Sequence, residues 1–260
     1  MFNEMLAYFL DPANWVGSAS IPARVGEHLW YSLLAVALAA VVAFPLGLII
    51  GHTGKGTTFI VATANVLRAL PSLGLMTLLV LLMGLGLFPP VIALVVLAVP
   101  PLLAGVYSGV ANVSRSTVDA ARAMGMTEWQ IVWQVELPNA MPLIVAGLRS
   151  AVLQVIATAT IAAYVNLGGL GRYIFDGLAV TDYGRVLVGA ILVTVLALVV
   201  DGLLALLGRL VVPGRKKRGP KAAGSSSSRA GLGSGSGSGS GSGAVSGATV
   251  ASTSVATTSA

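Results

Sequence analysis

Three charged residues lie inside stretches that are otherwise apolar: Arg68, Arg149 and Asp201. A charge at the centre of a bilayer costs at least about 2.5 kcal/mol unless compensated, so such residues pair, snorkel to the headgroups or meet a polar solute. All three fall toward the predicted cytoplasmic ends of their segments. That position favours snorkelling or an internal ion pair, for instance Arg149 with Asp201, over contact with a solute. Nothing in the chain points to catalysis: no nucleophile motif appears, and no enzyme activity is expected. The chain has no cysteine. His28 and His52 are far apart and on opposite predicted sides, so no metal site is expected and each reads as an interfacial polar residue. The stretch GHTGKGTT at 51–58 approximates a phosphate-binding loop. It lacks the Ser or Thr after Gly54-Lys55 that would hold magnesium, and Ile49 stands where the leading glycine belongs. It reads as a short surface turn.

These residues are embedded in a membrane protein. Of the 260 residues 56% are hydrophobic and only 9% charged, and the mean hydropathy is +0.90; a soluble domain is about a quarter charged. The expected fold is all-α and polytopic, with about five transmembrane helices at 29–50, 59–87, 91–110, 143–165 and 186–212, a bilayer core requiring about 20 residues each. Pro45 should kink the first. The second is too long for one straight span and is broken by Asn65, Arg68 and Pro71, so part of it should lie at the interface or bend at Pro71. Pro100-Pro101 interrupts the third, and small Ala and Thr residues in the fourth permit close helix packing.

Residues 1–28 are too mixed in polarity for a span, and Trp15 suits an interfacial N-terminal segment. With no basic residue before Arg24, a cleavable signal peptide is not expected. The membrane domain is then 29–213. Residues 214–260 form a basic and then Gly/Ser-rich tail that cannot bury enough apolar surface to order itself. Six of the fifteen basic residues, Arg215, Lys216, Lys217, Arg218, Lys221 and Arg229, follow the last apolar run. Such a cluster marks the cytoplasmic side of a span, and no nucleic-acid partner is expected.

The polar interruption at 119–138, DAARAMGMTEWQIVWQVELP, must sit in water between two apolar runs. Ser116 and Asp119 are spaced as a capping box, Gly125 can end a short helix in a left-handed conformation, Thr127 with Gln130 caps a second helix, and Pro138 should close it. The expected product is a helix-turn-helix knob between spans 3 and 4. Placing the knob inside puts Lys55, Arg115, Arg122 and the tail cluster in the cytoplasm and Arg24, Arg172 and Arg185 outside. The expected topology is N-terminus outside and C-terminus cytoplasmic, as an odd number of spans requires.

In spacing, Asp119, Ala120, Ala121, Gly125, Val135, Leu137 and Pro138 resemble the cytoplasmic signature loop of bacterial ABC importer permeases. Aspartate stands for the usual glutamate and valine for the usual isoleucine. The resemblance implies that the loop docks onto a separate ATP-hydrolysing subunit, its small alanines letting the partner approach closely. NVLRALPSLGL, with Asn65, Arg68 and Pro71, GGLGRYIFDGLA at 168–179, and the N-terminal PANW and EHLWYS stretches are similar to the osmoprotectant branch of that family.

By this resemblance the chain has a methionine-permease-like fold in the plasma membrane and imports a small osmoprotectant such as glycine betaine, choline or carnitine. The implied partners are two ATP-binding subunits, a second permease (a homodimer or a paralogue pair), an extracytoplasmic binding protein and membrane lipid. The chain binds no cofactor itself; ATP and magnesium are used by the ATPase subunits. Asn65, Arg68, Pro71, Arg149 and Asp201 belong to the translocation path or to structural pairing, and Tyr164, Tyr173 and Asp176 are outer-gate candidates. An importer of another small solute such as methionine, and an ATP-independent secondary carrier, remain as alternatives. A secondary carrier would normally show internal repeats and midplane carboxylates; the sequence shows no repeat and only Asp201.

Overall fold

The computed structural model describes residues 2–211, and the expected 214–260 tail lies outside them. The described chain is helical from end to end. α1 (Phe2–Leu10) and a 3-10 turn (Pro12–Trp15) lead to α2 (Ile21–Thr53). This helix starts at Ile21 and not near residue 29. The Ser20 hydroxyl accepts from the Ala23 N–H, and Pro22 sits in the first turn, where its missing N–H is no loss and its fixed φ suits a helix. The proline that suggested a break is therefore part of a start signal, and Arg24, Glu27 and His28 are helical. At the far end Gly54, with φ 68°, closes α2 by donating to the Ile50 carbonyl.

α3 (Thr57–Ala69) and α4 (Ser72–Met83) follow, bent by 86° against each other. Leu70 takes an extended conformation, φ −65° and ψ 130°, as a residue before proline must, so Pro71 divides the second apolar stretch in the way its position predicts. α5 (Phe88–Ala111) begins on Pro89 and Pro90. α6 (Arg115–Ala123) and α7 (Glu128–Ile131) form the knob, a π-helical segment (Val132–Glu136) leads into α8 (Leu137–Ala162), and α9 (Gly171–Ala179) and α10 (Tyr183–Val211) complete the chain. Among the described residues four helices, the first being α2, are long and apolar enough to cross a membrane, and the bent α3–α4 pair makes a fifth if counted as one span.

α5 lies between α2 and α8, and glycines bring the three backbones together. A methyl group on Gly105 would stand 2.6 Å from the Gly147 Cα and 3.0 Å from the Leu143 carbonyl oxygen. Gly109 meets Ala140 in the same way, one turn further along. On the other side Gly47 and Gly51 of α2 receive Val106 and Val110 of α5. Where lipid is as apolar as leucine, close backbone approach of this kind supplies the dispersion contact that holds helices together. The main core, including Ala35, Ala39, Leu94, Leu102, Val155 and Ile156, fills the space around these seams. α10 is different: Leu198, Val199, Leu203, Leu206, Leu207 and Leu210 all remain exposed.

A substitution series tests the seam. Gly105→Ala should destabilise the purified protein by about 1–3 kcal/mol, the usual cost of overpacking against backbone that cannot yield, and lower its thermal midpoint. Gly202→Ala on α10, where a methyl group meets nothing within 4 Å, should leave the midpoint unchanged or slightly raised.

Candidate functional site

The two ends of the bundle carry different chemistry. One end gathers the close of α2, the turn to α3, the end of α5 and the knob. The knob has its own small core, in which Val118, Ala121 and Ile131 are buried with Val113, Met126 and Val135 against them. Gly125, with φ 84°, ends α6, and the Met126 N–H reaches back to the Ala121 carbonyl, 3.2 Å away. Thr127 and Gln130 cap α7 reciprocally, a capping box.

Two expectations fail here. Ser116 and Asp119 form no capping box, because α6 starts one residue before Ser116 and the Ser116 hydroxyl is taken by that of Ser114, 2.6 Å away. Pro138 does not close the second helix. The π segment carries the chain from α7 into α8, and Pro138 falls in the first turn of α8. Proline cannot donate to the carbonyl four residues back and crowds it; the wider i→i+5 turn, with Leu137 N–H on the Val132 carbonyl, absorbs the defect and the helix continues.

The seven signature positions divide by exposure. Asp119, Ala120, Gly125 and Pro138 face solvent, whereas Ala121 is buried and Val135 and Leu137 are half-buried. Ala121 is therefore small because Ile131 packs on it, and only the first group is available to another protein. A charged chain crosses the knob. Arg122 donates through Nε (2.8 Å) and Nη2 (3.0 Å) to the Glu128 carboxylate, and lies 3.4 Å from Asp119. His52, at the end of α2, places Nε2 3.2 Å from Glu128 and Nδ1 2.8 Å from Glu136. Glu136 is buried, 4% exposed. His52 is thus not a loose interfacial residue, and neither it nor Glu136 was marked by any local sequence pattern.

Within the bundle, Arg149 of α8 forks onto Asp201 of α10 through Nε and Nη2. The pair borders an open groove between the two helices, together with Pro142, Leu204 and Gly208. Arg68 stands elsewhere, on a cavity of about 380 Å³ lined also by Ser72, Pro101, Ser150, Gln154 and Thr158. Pro101, Ser150 and Gln154 are mid-helix residues of α5 and α8, so Arg68 lies level with the middle of those helices and not at an end. Pro71 aims α4 away from α3 at this cavity's edge, and Asn65 is exposed one turn before Arg68.

At the opposite end the loop after α8 is fastened to α2. The Gly169 N–H donates to Glu27 (2.8 Å), the Leu170 N–H to His28 Nδ1 (3.3 Å), and His28 Nε2 meets the Ile156 carbonyl (3.0 Å). With Nδ1 accepting, Nε2 carries the proton. Tyr173 is buried, donates to the Ala19 carbonyl at 3.0 Å and meets Tyr8 edge-on. Burial, with Tyr8 adding, pushes its phenol up to about 12, so it remains a neutral donor. Asp176 is held between Arg172 (3.4 Å) and Arg185 (3.5 Å). Of the three outer-gate candidates only Tyr164, 60% exposed against Phe175, presents an open face.

Residues 43–212 match a family described as the binding-protein-dependent transport system inner membrane component. A glycine betaine/carnitine/choline transport system permease protein of Bacillus subtilis is 37% identical over 190 residues, 73% of this chain and 88% of the relative. A carnitine transport permease protein of Listeria monocytogenes is 41% identical over 175 residues, 67% and 80% of the two chains. An osmoprotectant import permease protein of Salmonella typhimurium is 32% identical over 215 residues, 81% and 98%. Among solved structures, a chain of an inward-facing methionine ABC transporter superposes with TM-score 0.68 at 22% identity, covering 77% of this chain and 98% of its own. That likeness shows a shared fold.

The Arg149–Asp201 fork gives a direct test. Asp201→Asn should lower the thermal midpoint of the purified protein by several degrees, and the exchange Arg149→Asp with Asp201→Arg should regain part of the loss. An exchange no better than either single change would mean that the two charges do not act on each other.

Proposed function

Because the chain belongs to the family of binding-protein-dependent transport system inner membrane components, we propose that it is the permease subunit of an ATP-driven importer of osmoprotectants such as glycine betaine, choline or carnitine. The protein is a multi-pass membrane permease component and not an enzyme. The observation that carries the proposal is the knob: a compact, capped, water-facing element between two apolar helices whose exposed tip, Asp119, Ala120 and Gly125, has no role in its own core. The solute class rests on relatives whose names specify glycine betaine, carnitine and choline at 37% and 41% identity. The methionine importer is a weaker guide, sharing 22% identity.

On this reading two ATPase subunits dock on the knobs of this chain and of a second permease, and an extracytoplasmic binding protein delivers the solute to the end bearing Tyr164, Arg172 and Asp176. Nucleotide-driven approach of the ATPases displaces the knobs and rocks the helices between inward-open and outward-open arrangements. The knob end carries Lys55, Arg115, Arg122 and Arg209 and the opposite end Arg24, Arg172 and Arg185. This modest bias supports a cytoplasmic knob, an outside N-terminus and an inside C-terminus. The cavity at Arg68, with Ser150, Gln154 and Thr158 on its wall, suits a small polar solute on its way through.

Uptake into vesicles holding the complete complex should require ATP and the binding protein. Gly125→Asp adds a charged side chain to the docking face where nothing lies within 4 Å, and its φ of 84° also strains the turn, though aspartate tolerates that region better than most residues. It should insert normally and lower uptake at least about tenfold, a change of about 1.4 kcal/mol in the limiting step. Uptake that persists without ATPase subunits would instead identify a secondary carrier.

A further inference from the structure

The knob reaches the three central helices by different routes. It runs into α8 through the π segment and back to α5 through the three residues 112–114, both by backbone. α2 has no such connection. Its contact with the knob end is made by side chains: Leu48 packs on Val132 in the cluster with Val106 and Val110, and His52 reaches Glu128 and Glu136. Among the described residues, the hydrogen bonds from α2 to the knob are those of His52. At its other end, α2 holds the 167–171 loop through Glu27 and His28. A helix of 33 residues is about 50 Å long. Like α8, which the backbone joins to the knob and to the 163–171 loop, it meets both ends of the bundle, but it does so through side chains.

The chemistry of the grip is specific. Both ring nitrogens of His52 face carboxylate oxygens, and a carboxylate only accepts. The ring is thereby held between α7 and the π segment, at 3.2 Å from Glu128 and 2.8 Å from Glu136. Glu128 is already satisfied by the Arg122 fork. Glu136 is buried, and among the described residues its hydrogen-bond partner is His52. A buried carboxylate left without a partner carries the full desolvation penalty, so the pair resists separation. The groups that surround it are Arg115, Asp119 and Arg122 of α6 and Tyr107 of α5, which line one polar cavity of about 520 Å³ with His52 and Glu136, together with Glu128 of α7.

We propose that His52 is a positioning residue for energy coupling: through Glu136 and Glu128 it fastens α2 to the knob, so that knob displacement travels along α2 to the loop held by Glu27 and His28. This rests on the knob being the element that ATPase subunits move. α2 is continuous from His52 past Pro45 to Glu27 and His28, so the two fastenings share one helix.

The test measures solute imported per ATP hydrolysed by the complete complex in vesicles. A merely structural fault lowers both rates together and leaves that ratio alone. His52→Ala should keep ATP hydrolysis within about twofold while the ratio falls at least about fivefold, the lower end of typical coupling between sites. Glu136→Gln, whose amide oxygen still accepts from the His52 Nδ1–H, should hold the ratio within about twofold of the unaltered complex. Glu136→Leu, with no acceptor, should lose it, and this comparison decides the matter if His52→Ala fails to assemble. An unchanged ratio in His52→Ala or in Glu136→Leu overturns the proposal, including the case where both rates fall in proportion. If the unaltered complex imports solute without ATP, the knob reading fails as well; if Gly125→Asp blocks uptake while His52→Ala keeps its ratio, only the role of His52 fails.

Discussion

The structure depends on backbone touching backbone along the two faces of α5. Hydrophobicity does not distinguish a helix neighbour from a lipid tail, so a bundle in a membrane has to be specified by shape and by polar contacts. Here shape does most of it. Gly105 on Gly147 and Gly109 on Ala140 bring α5 to α8, while Gly47 and Gly51 admit the valines of α5 into α2. The three helices become one body. α10, whose Gly202 meets nothing within 4 Å while Gly189 is close against Ile174 of α9 and Gly208 against Val145 of α8, joins that body through the Arg149–Asp201 fork and through Val193, Ala197, Val200 and Leu204, and much of its surface remains open to lipid or to another subunit.

The polar contacts are economical and sit where helices must keep register. Each end of α2 carries a histidine that crosses to another element, His28 to Ile156 and Leu170, His52 to Glu136 and Glu128. The two differ in kind. His28 uses one donor and one acceptor nitrogen against backbone groups, so a neutral ring satisfies it. His52 stands instead between two carboxylates, those of Glu136 and Glu128. The first fastens α2 to backbone and the second fastens it to side chains of the knob end, beside a cavity that Arg115, Asp119 and Arg122 also line.

Local chemistry made much of this legible in the sequence. The left-handed turn at Gly125, the cap formed by Thr127 and Gln130, and the break at Leu70-Pro71 follow from residues within a few positions of one another, and all three are present. The start of α2 is not legible from Pro22 alone, which reads equally as a breaker and as a first-turn residue; the Ser20 cap two residues before it separates the two. The capping box at Ser116 failed for a related reason, the neighbouring Ser114 hydroxyl competing for the same bond. His52 and Glu136 are 84 residues apart, so nothing local could have joined them. Arg149 and Asp201 are 52 apart, yet their pairing was open to inference because two opposite charges in apolar surroundings have few other partners.

The π segment links these observations. Had Pro138 ended the second knob helix, an irregular turn would join the knob to α8. One widened turn instead keeps the helix continuous from Glu128 to Ala162. The residue it adds re-aims the side chains before it relative to those after it by about 100°. Val132 and Glu136 can then face α2 while Ala140 and Gly147 keep their seam with α5. Pro138 thus accompanies the defect that joins the knob to α8, and the buried carboxylate of that defect, Glu136, is the one His52 holds.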